Sequence, residues 1–184
     1  MKKADIRLKV RAGKAMIGRD EGIAAAERVF DTLRSMAAYM MADRVLIYHS
    51  LPDELSTREF LAVHGSEKQF FLPRVNGVDL EILPYDRSRL HLGAFNIEEP
   101  DGDDTVDIDQ IDLIVVPAVA YDNAGNRVGR GKGYYDRLLR HSRAITVGVC
   151  YDFQLVDSIE TEEHDIPVDF VVADGHGIFR GRRK

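Results

Sequence analysis

The run LIVV at residues 113–116, inside a strand expected over about residues 112–117, constrains the fold of this chain more than any other stretch. Four apolar residues in a row, three of them β-branched, leave no polar face to turn toward water. A strand of that kind needs cover on both sides, which a parallel sheet between helical layers provides. Two similar runs follow, AITVGVC at 144–150 and VDFVVA at 168–173. Between the first two, YYDRLLRHS at 134–142 reads as a helix. Strand, helix, strand implies a right-handed parallel crossover, so an α/β protein on a mostly parallel sheet is expected.

The first half supplies material for the helical layers. The spacing of Ile6, Val10, Gly13 and Ile17 predicts a helix over 3–17. Ile23, Ala26, Phe30, Leu33, Ala37 and Met40 step by three or four and predict a second over 21–41, with Asp20 as N-cap. RVLIYHSL at 44–51 reads as a buried strand that Pro52 and Asp53 break, and STREFLAVHG as a short capped helix ending at Gly65. QFFLPRV and DLEILPY, joined through Asn76-Gly77, carry a strong hairpin signal. Pro73 and Pro84 mark strand ends or an edge. The acidic segment 96–111 reads as a surface loop and lacks the ligand spacing of a calcium loop. With 184 residues, 45% of them apolar, and no internal repeat, residues 1–184 read as a single domain.

Acidic residues outnumber basic ones, 31 to 25, for a formal charge of −6. That balance argues against nucleic acid as a partner, since phosphate backbones call for a broad positive field. The amino terminus lacks a signal-peptide core, and no run of about 18 apolar residues predicts a membrane span. Cys150 is the one cysteine and sits in an apolar run, so it reads as a small buried hydrophobe. A cytoplasmic monomer is expected. The basic run RGRRK, 180–184, reads as a frayed, solvated end.

The segment GRGKGYYD, 129–136, lies between a buried strand and a helix, where open α/β sheets collect ligands. Gly129, Gly131 and Gly133 would let backbone N–H groups approach an anion, with Arg130 and Lys132 adding charge. A tight surface turn is the competing reading. The Walker pattern fails because Gly133 follows Lys132 where Ser or Thr is needed, and the dinucleotide fingerprint fails because Tyr134 stands where a third glycine would be needed. Lys3, Arg7, Arg11 and Lys14 fall within an arc of roughly 80° on the first helix, either as a ligand-facing flank or as an ordinary solvated face. Asp136 could complement its helix or hold a divalent ion, and Asp169, which opens the last strand, could supply a second carboxylate. The six histidines lack zinc-site spacing; His49 and His164 are the two to watch.

The stretch DLIVVPAVAYDNAGNRVGRGKGYYDRLL resembles the 5-formyltetrahydrofolate cyclo-ligase family, also called methenyltetrahydrofolate synthetases. So do Lys3 and Arg7, DELST, FLPRV, GAFNIEEPDG and HDIPVDFVV, over residues 3–173 in all. The tail from 175 to 184 lies outside the resemblance. Ala118 departs from it, at a position where the family usually carries glycine. The resemblance implies a three-layer α/β sandwich with a Rossmann-like, mostly parallel sheet and a small hairpin. It implies ATP- and Mg²⁺-dependent closure of 5-formyltetrahydrofolate to 5,10-methenyltetrahydrofolate, releasing ADP and phosphate. By the same resemblance Lys3, Arg7, Arg127, Gly129, Arg130, Gly131, Lys132, Gly133, Tyr134 and Tyr135 bind ATP, with Arg130 and Lys132 neutralising charge on the transferring group. Asp136 and Asp169 match magnesium ligands, and His49, Glu54 and Tyr134 match folate contacts. A binding module that kept the scaffold without the chemistry is the alternative.

Overall fold

A computed structural model describes residues 1–93 and 98–181. Its helices are α1 (Lys3–Met16), α2 (Arg19–Ser35), α3 (Ala37–Met41), α4 (Arg58–His64) and α5 (Tyr134–Arg140). A seven-stranded sheet forms the centre. Its inner strands are β1 (Arg44–Ile47), β2 (Gln69–Asn76), β6 (Leu113–Val116), β9 (Ile145–Cys150) and β11 (Phe170–Ala173), and all five run parallel. Two antiparallel edges, β3 (Asp79–Pro84) and β12 (Gly177–Arg180), complete the order β12-β11-β9-β6-β1-β2-β3. A two-stranded ribbon, β4 (Leu90–Leu92) with β5 (Glu98–Pro100), lies beside β2. A small sheet forms from β7 (Ala120–Asp122), β8 (Arg127–Val128) and β10 (Leu155–Val156).

Residues 113–116 are at most 1% exposed, as a strand covered on both faces requires. Leu113 and Val115 join Val45 and Ile47 against Phe30, Leu33 and Phe60 of α2 and α4. Ile114 and Val116 point the other way with Leu46, against Leu139 of α5 and Tyr121. Burying each side chain of this size stabilises the fold by about 1.5–3 kcal/mol. Tyr121 crosses β9 where a Cβ on Gly148 would come within 2.4 Å of its ring, so glycine is required for the approach. Its hydroxyl donates to the Val116 carbonyl at 2.6 Å. A third cluster docks Ile6 and Val10 of α1 on Ala120, Val128, Val156 and Ile159. That contact fixes α1 across the small sheet.

Several local expectations change. The helix expected over 21–41 breaks at Met36, whose backbone is extended, and the break rephases the chain. Met36, Tyr39 and Ala42 turn inward, while Ala37 and Met40 are exposed. Asp20 lies inside the first turn of α2 and Gly18 is its N-cap, because Arg19 already has helical backbone. The hairpin turns on Gly77 and Val78, with Asn76 paired to Asp79 as the last strand residue. Within the stretch read as acidic loop, Glu98–Pro100 is a strand; positions 96 and 97 lie outside the described residues. Between the run at 113–116 and the glycine loop the chain forms two further short strands, β7 and β8. The carboxyl-terminal end is not frayed through Gly181: β12 pairs with β11, and Gly181 N–H donates to Asp169 O at 2.7 Å. No described helix is long and apolar enough to cross a membrane.

Candidate active site

The loops after β1 and β6 leave the sheet at its carboxyl edge. There they meet α1, the glycine loop between β8 and α5, the hairpin β2–β3, strand β5 and the segment around Asp165. These elements enclose a cavity of about 560 Å³. Apart from Asp169, every site residue named from the sequence lines it: Lys3, Arg7, His49, Glu54, Arg127, residues 129–135 and Asp136.

One end is cationic. Arg7 of α1 donates through Nε and Nη2 to the Gly129 carbonyl at 3.1 and 2.9 Å, so the first helix is tied to the glycine loop. Lys3, one turn earlier, pairs with Asp165 at 2.7 Å and Glu162 at 3.3 Å. Burial works to lower the Lys3 pKa, but the hydrogen bond and charge of Asp165 outweigh it and hold the ammonium above its ordinary value. Burial likewise opposes ionisation of Asp165, and Lys3 together with the Glu162 N–H overcomes it and holds the carboxyl below its usual range. Of the basic flank, Lys3 and Arg7 thus line the cavity and Lys14 reaches Asp53, while Arg11 remains a solvated residue. In the loop, Gly131 and Gly133 have φ of 98° and 70°, where a side chain would be strained. Lys132 stands exposed at the cavity. Arg130 pairs with Asp53 at 2.7 Å and with Glu54 at 3.2 Å, and Lys14 pairs with Asp53 from the other side at 3.1 Å.

Two aspartates, Asp136 and Asp165, stand on the cavity wall. Asp136 accepts from the buried Arg127 guanidinium and, at 3.1 Å, from the backbone N–H of Ile166. That second bond places it beside Asp165. Asp169, the other acid that the resemblance matched to a magnesium ligand, is elsewhere and does not line the cavity. The Asp169 carboxylate accepts from Thr146 N and Oγ1 at 2.8 and 2.9 Å, at the amino edge of the sheet. The residues from 165 to 169 run from one edge of the sheet toward the other, so the first acid of HDIPVDFVV faces the cavity and the second does not. Among the described residues no group of three or more His, Cys, Asp or Glu is placed to hold a metal by itself. Asp136 with Asp165 suits a Mg²⁺ that takes its remaining ligands from phosphate and water.

Away from the cations the wall is mostly apolar, with Pro73, Val75 and Leu80 of the hairpin and Pro117 and Ala118 after β6, and it also carries Glu98 and Glu99 of β5. The Arg137 guanidinium lies over the Tyr134 ring at 5.5 Å. Burial raises the Tyr135 phenol well above its ordinary pKa, so it stays neutral. His49 is held as a neutral imidazole, its pKa lowered by burial and by Arg58 against the opposing pull of Glu98. Glu54 has both oxygens engaged, one by Leu51 N–H at 2.9 Å and one by Arg130. Sequence reasoning missed Glu99 and Asp165, which also line the cavity. Asp165 was readable in the HD pair; nothing local marked Glu99.

The model of the 5-formyltetrahydrofolate cyclo-ligase family matches residues 1–174. A 5-formyltetrahydrofolate cyclo-ligase of Escherichia coli is 33% identical over 143 residues, covering 72% of this chain and 79% of that protein. The Haemophilus influenzae protein of the same name is 27% identical over 177 residues, covering 91% and 95%. The solved structure of Aquifex aeolicus 5,10-methenyltetrahydrofolate synthetase superimposes with a TM-score of 0.88 at 32% identity, covering 99% of this chain and 94% of that one. The matched stretch contains α1, the glycine loop and the Asp136–Asp165 wall alike, and on that ground the chain belongs to the 5-formyltetrahydrofolate cyclo-ligase family.

Proposed function

We propose that this protein closes 5-formyltetrahydrofolate to 5,10-methenyltetrahydrofolate at the expense of ATP, with Mg²⁺ arriving on the nucleotide. The observation that carries the reading is the convergence of Lys3 and Arg7 with Arg130 and Lys132 at one end of a cavity whose other end is mostly apolar. Anionic phosphates suit the first end and a flat heterocycle the second.

A formamide oxygen is a poor leaving group. In the proposed reaction it attacks the γ-phosphorus, the bond from that phosphorus to the bridging oxygen breaks, and ADP departs. The N10 nitrogen then attacks the formyl carbon and loses its proton, and the former formyl oxygen leaves as phosphate. The residues act by positioning and charge. Lys132 and Arg130 offset negative charge on the transferring group, and the glycine-loop N–H groups hold the phosphates close. Arg130 must exchange its carboxylate partners for phosphate. Asp136 and Asp165 would hold Mg²⁺, which screens phosphate charge when bound. The Tyr134 and Tyr135 rings help keep water from the activated intermediate.

The test mixes protein, ATP, Mg²⁺ and 5-formyltetrahydrofolate and follows the near-ultraviolet absorbance of the methenyl product. The expected result is ATP-dependent product, with ADP and phosphate in equal amounts. Folded protein that yields none beside an active control refutes the proposal; ligand binding without turnover would leave a binding module in its place.

A further inference from the structure

Glu99 is 5% exposed and lines the apolar end of the cavity beside Val75. The hydrogen bond it takes among the described residues is from the Val75 N–H to Oε1, at 3.2 Å. Nearby cations are engaged by other groups. Arg74 pairs with Glu81 at 2.8 Å and donates to the carbonyls of Pro100 and Gly102. Arg58 pairs with Glu98 at 2.7 Å. No described cation forms an ion pair with Glu99. A buried carboxylate with one backbone donor is poorly compensated, and such a group calls for a reason beyond the fold. Glu54, across the cavity, is the opposite case, with Leu51 N–H and Arg130 occupying both oxygens.

We propose that Glu99 is a specificity-determining residue that orients the substrate by accepting adjacent N–H donors from the edge of its heterocycle. The inference rests on the function proposed above. The ring that must lie in the cavity carries a 2-amino group next to a ring N–H, two parallel donors that match the two oxygens of a carboxylate. Pro73, Val75 and Leu80 line the same end with apolar surface for the ring face. Glu54 then serves the other end by holding Arg130, which separates the roles of the two acids.

Binding of 5-formyltetrahydrofolate, and of its analogue lacking the 2-amino group, is measured by calorimetry without ATP. The wild-type protein is expected to bind the analogue at least 10-fold more weakly. Glu99→Gln is expected to weaken the parent ligand about 10- to 100-fold and to remove most of the discrimination, with KM for ATP little changed. Glu54→Gln is expected to keep the discrimination. Equal binding of the two ligands by wild-type protein overturns the proposal and needs no variant to fold. Glu99→Gln that retains the discrimination, or Glu54→Gln that loses it, also overturns it. Absence of turnover with discrimination intact counts against the function and leaves the role of Glu99 standing.

Discussion

The two edges of the parallel sheet both carry aspartates, and they use them differently. At the amino edge, Asp169 accepts from Thr146, and Asp112 accepts from the backbone N–H groups of Asp43 and Arg44 at 3.0 and 2.8 Å. Their donors belong mainly to the backbone at strand starts, which cannot move without unpicking the sheet. At the carboxyl edge, Asp165, Asp53 and Asp136 are held by Lys3, Arg130 and Arg127, with a single backbone N–H added at Asp165 and at Asp136. The cationic partners are long side chains that can change partner when an anion or cation enters. A carboxylate satisfied by fixed backbone is built into the fold; one satisfied by a movable cation is available to a ligand.

The largest expected effect tests the carboxyl edge. Lys132→Ala should lower kcat by about 10²–10³ if it acts as a preorganised charge donor, with folate affinity changed less. Steady-state kinetics at saturating folate measures this, and an unchanged kcat removes Lys132 from the transition state. A sharper contrast sets Asp136→Asn and Asp165→Asn against Asp169→Asn. The first two should raise the Mg²⁺ concentration needed for half-maximal rate by about 10-fold or more, on the scale of losing one charged ligand contact. The third should leave that requirement alone, and a Mg²⁺ titration of rate distinguishes them.

Asp169→Asn should instead lower stability by about 1–3 kcal/mol, through weakened acceptance from the two Thr146 donors. Urea unfolding reads this directly, and full stability with lost metal dependence would reverse the comparison of the two edges. The smallest effect is a pH slope. His49 has its folded pKa below its ordinary 6.5 because burial disfavours the charged ring. The unfolded chain therefore binds the proton first, and this contribution to stability is lost as pH falls below about 6.5. His49→Gln should flatten the slope of unfolding free energy between neutral and mildly acidic pH, and an unchanged slope assigns it to other groups.

The legible parts of the fold were those written in short-range pattern. The all-apolar run at 113–116 announced a doubly covered strand. The spacing of Ile6 and Val10 announced an amphipathic α1, and Asn-Gly located the hairpin within one residue of its turn. The strands β7, β8 and β10 were not legible, because two or three residues carry no periodicity and pair only once α1 packs over them. The break at Met36 was hidden for a related reason: the stripe continued in sequence while burial of Tyr39 demanded a different phase. In the site, the glycine loop was found on charge and backbone chemistry, whereas charge spacing left Lys3 and Arg7 open and only the family resemblance assigned them to a ligand. Asp169 was named and Asp165 was not, because composition does not say at which edge of a sheet an acid lies.

Periodicity, turn chemistry and the glycine-rich signal act over a few residues, so the α/β class, the main strands and the cationic glycine loop follow from the order of the amino acids. Which carboxylate meets the cavity, which cation holds it, and that Glu99 stands buried beside Val75 depend on contacts between residues far apart in the chain. Those contacts are selected by register and packing of whole elements, where four residues of extended chain are enough to carry a side chain from the ligand to the opposite edge of the sheet.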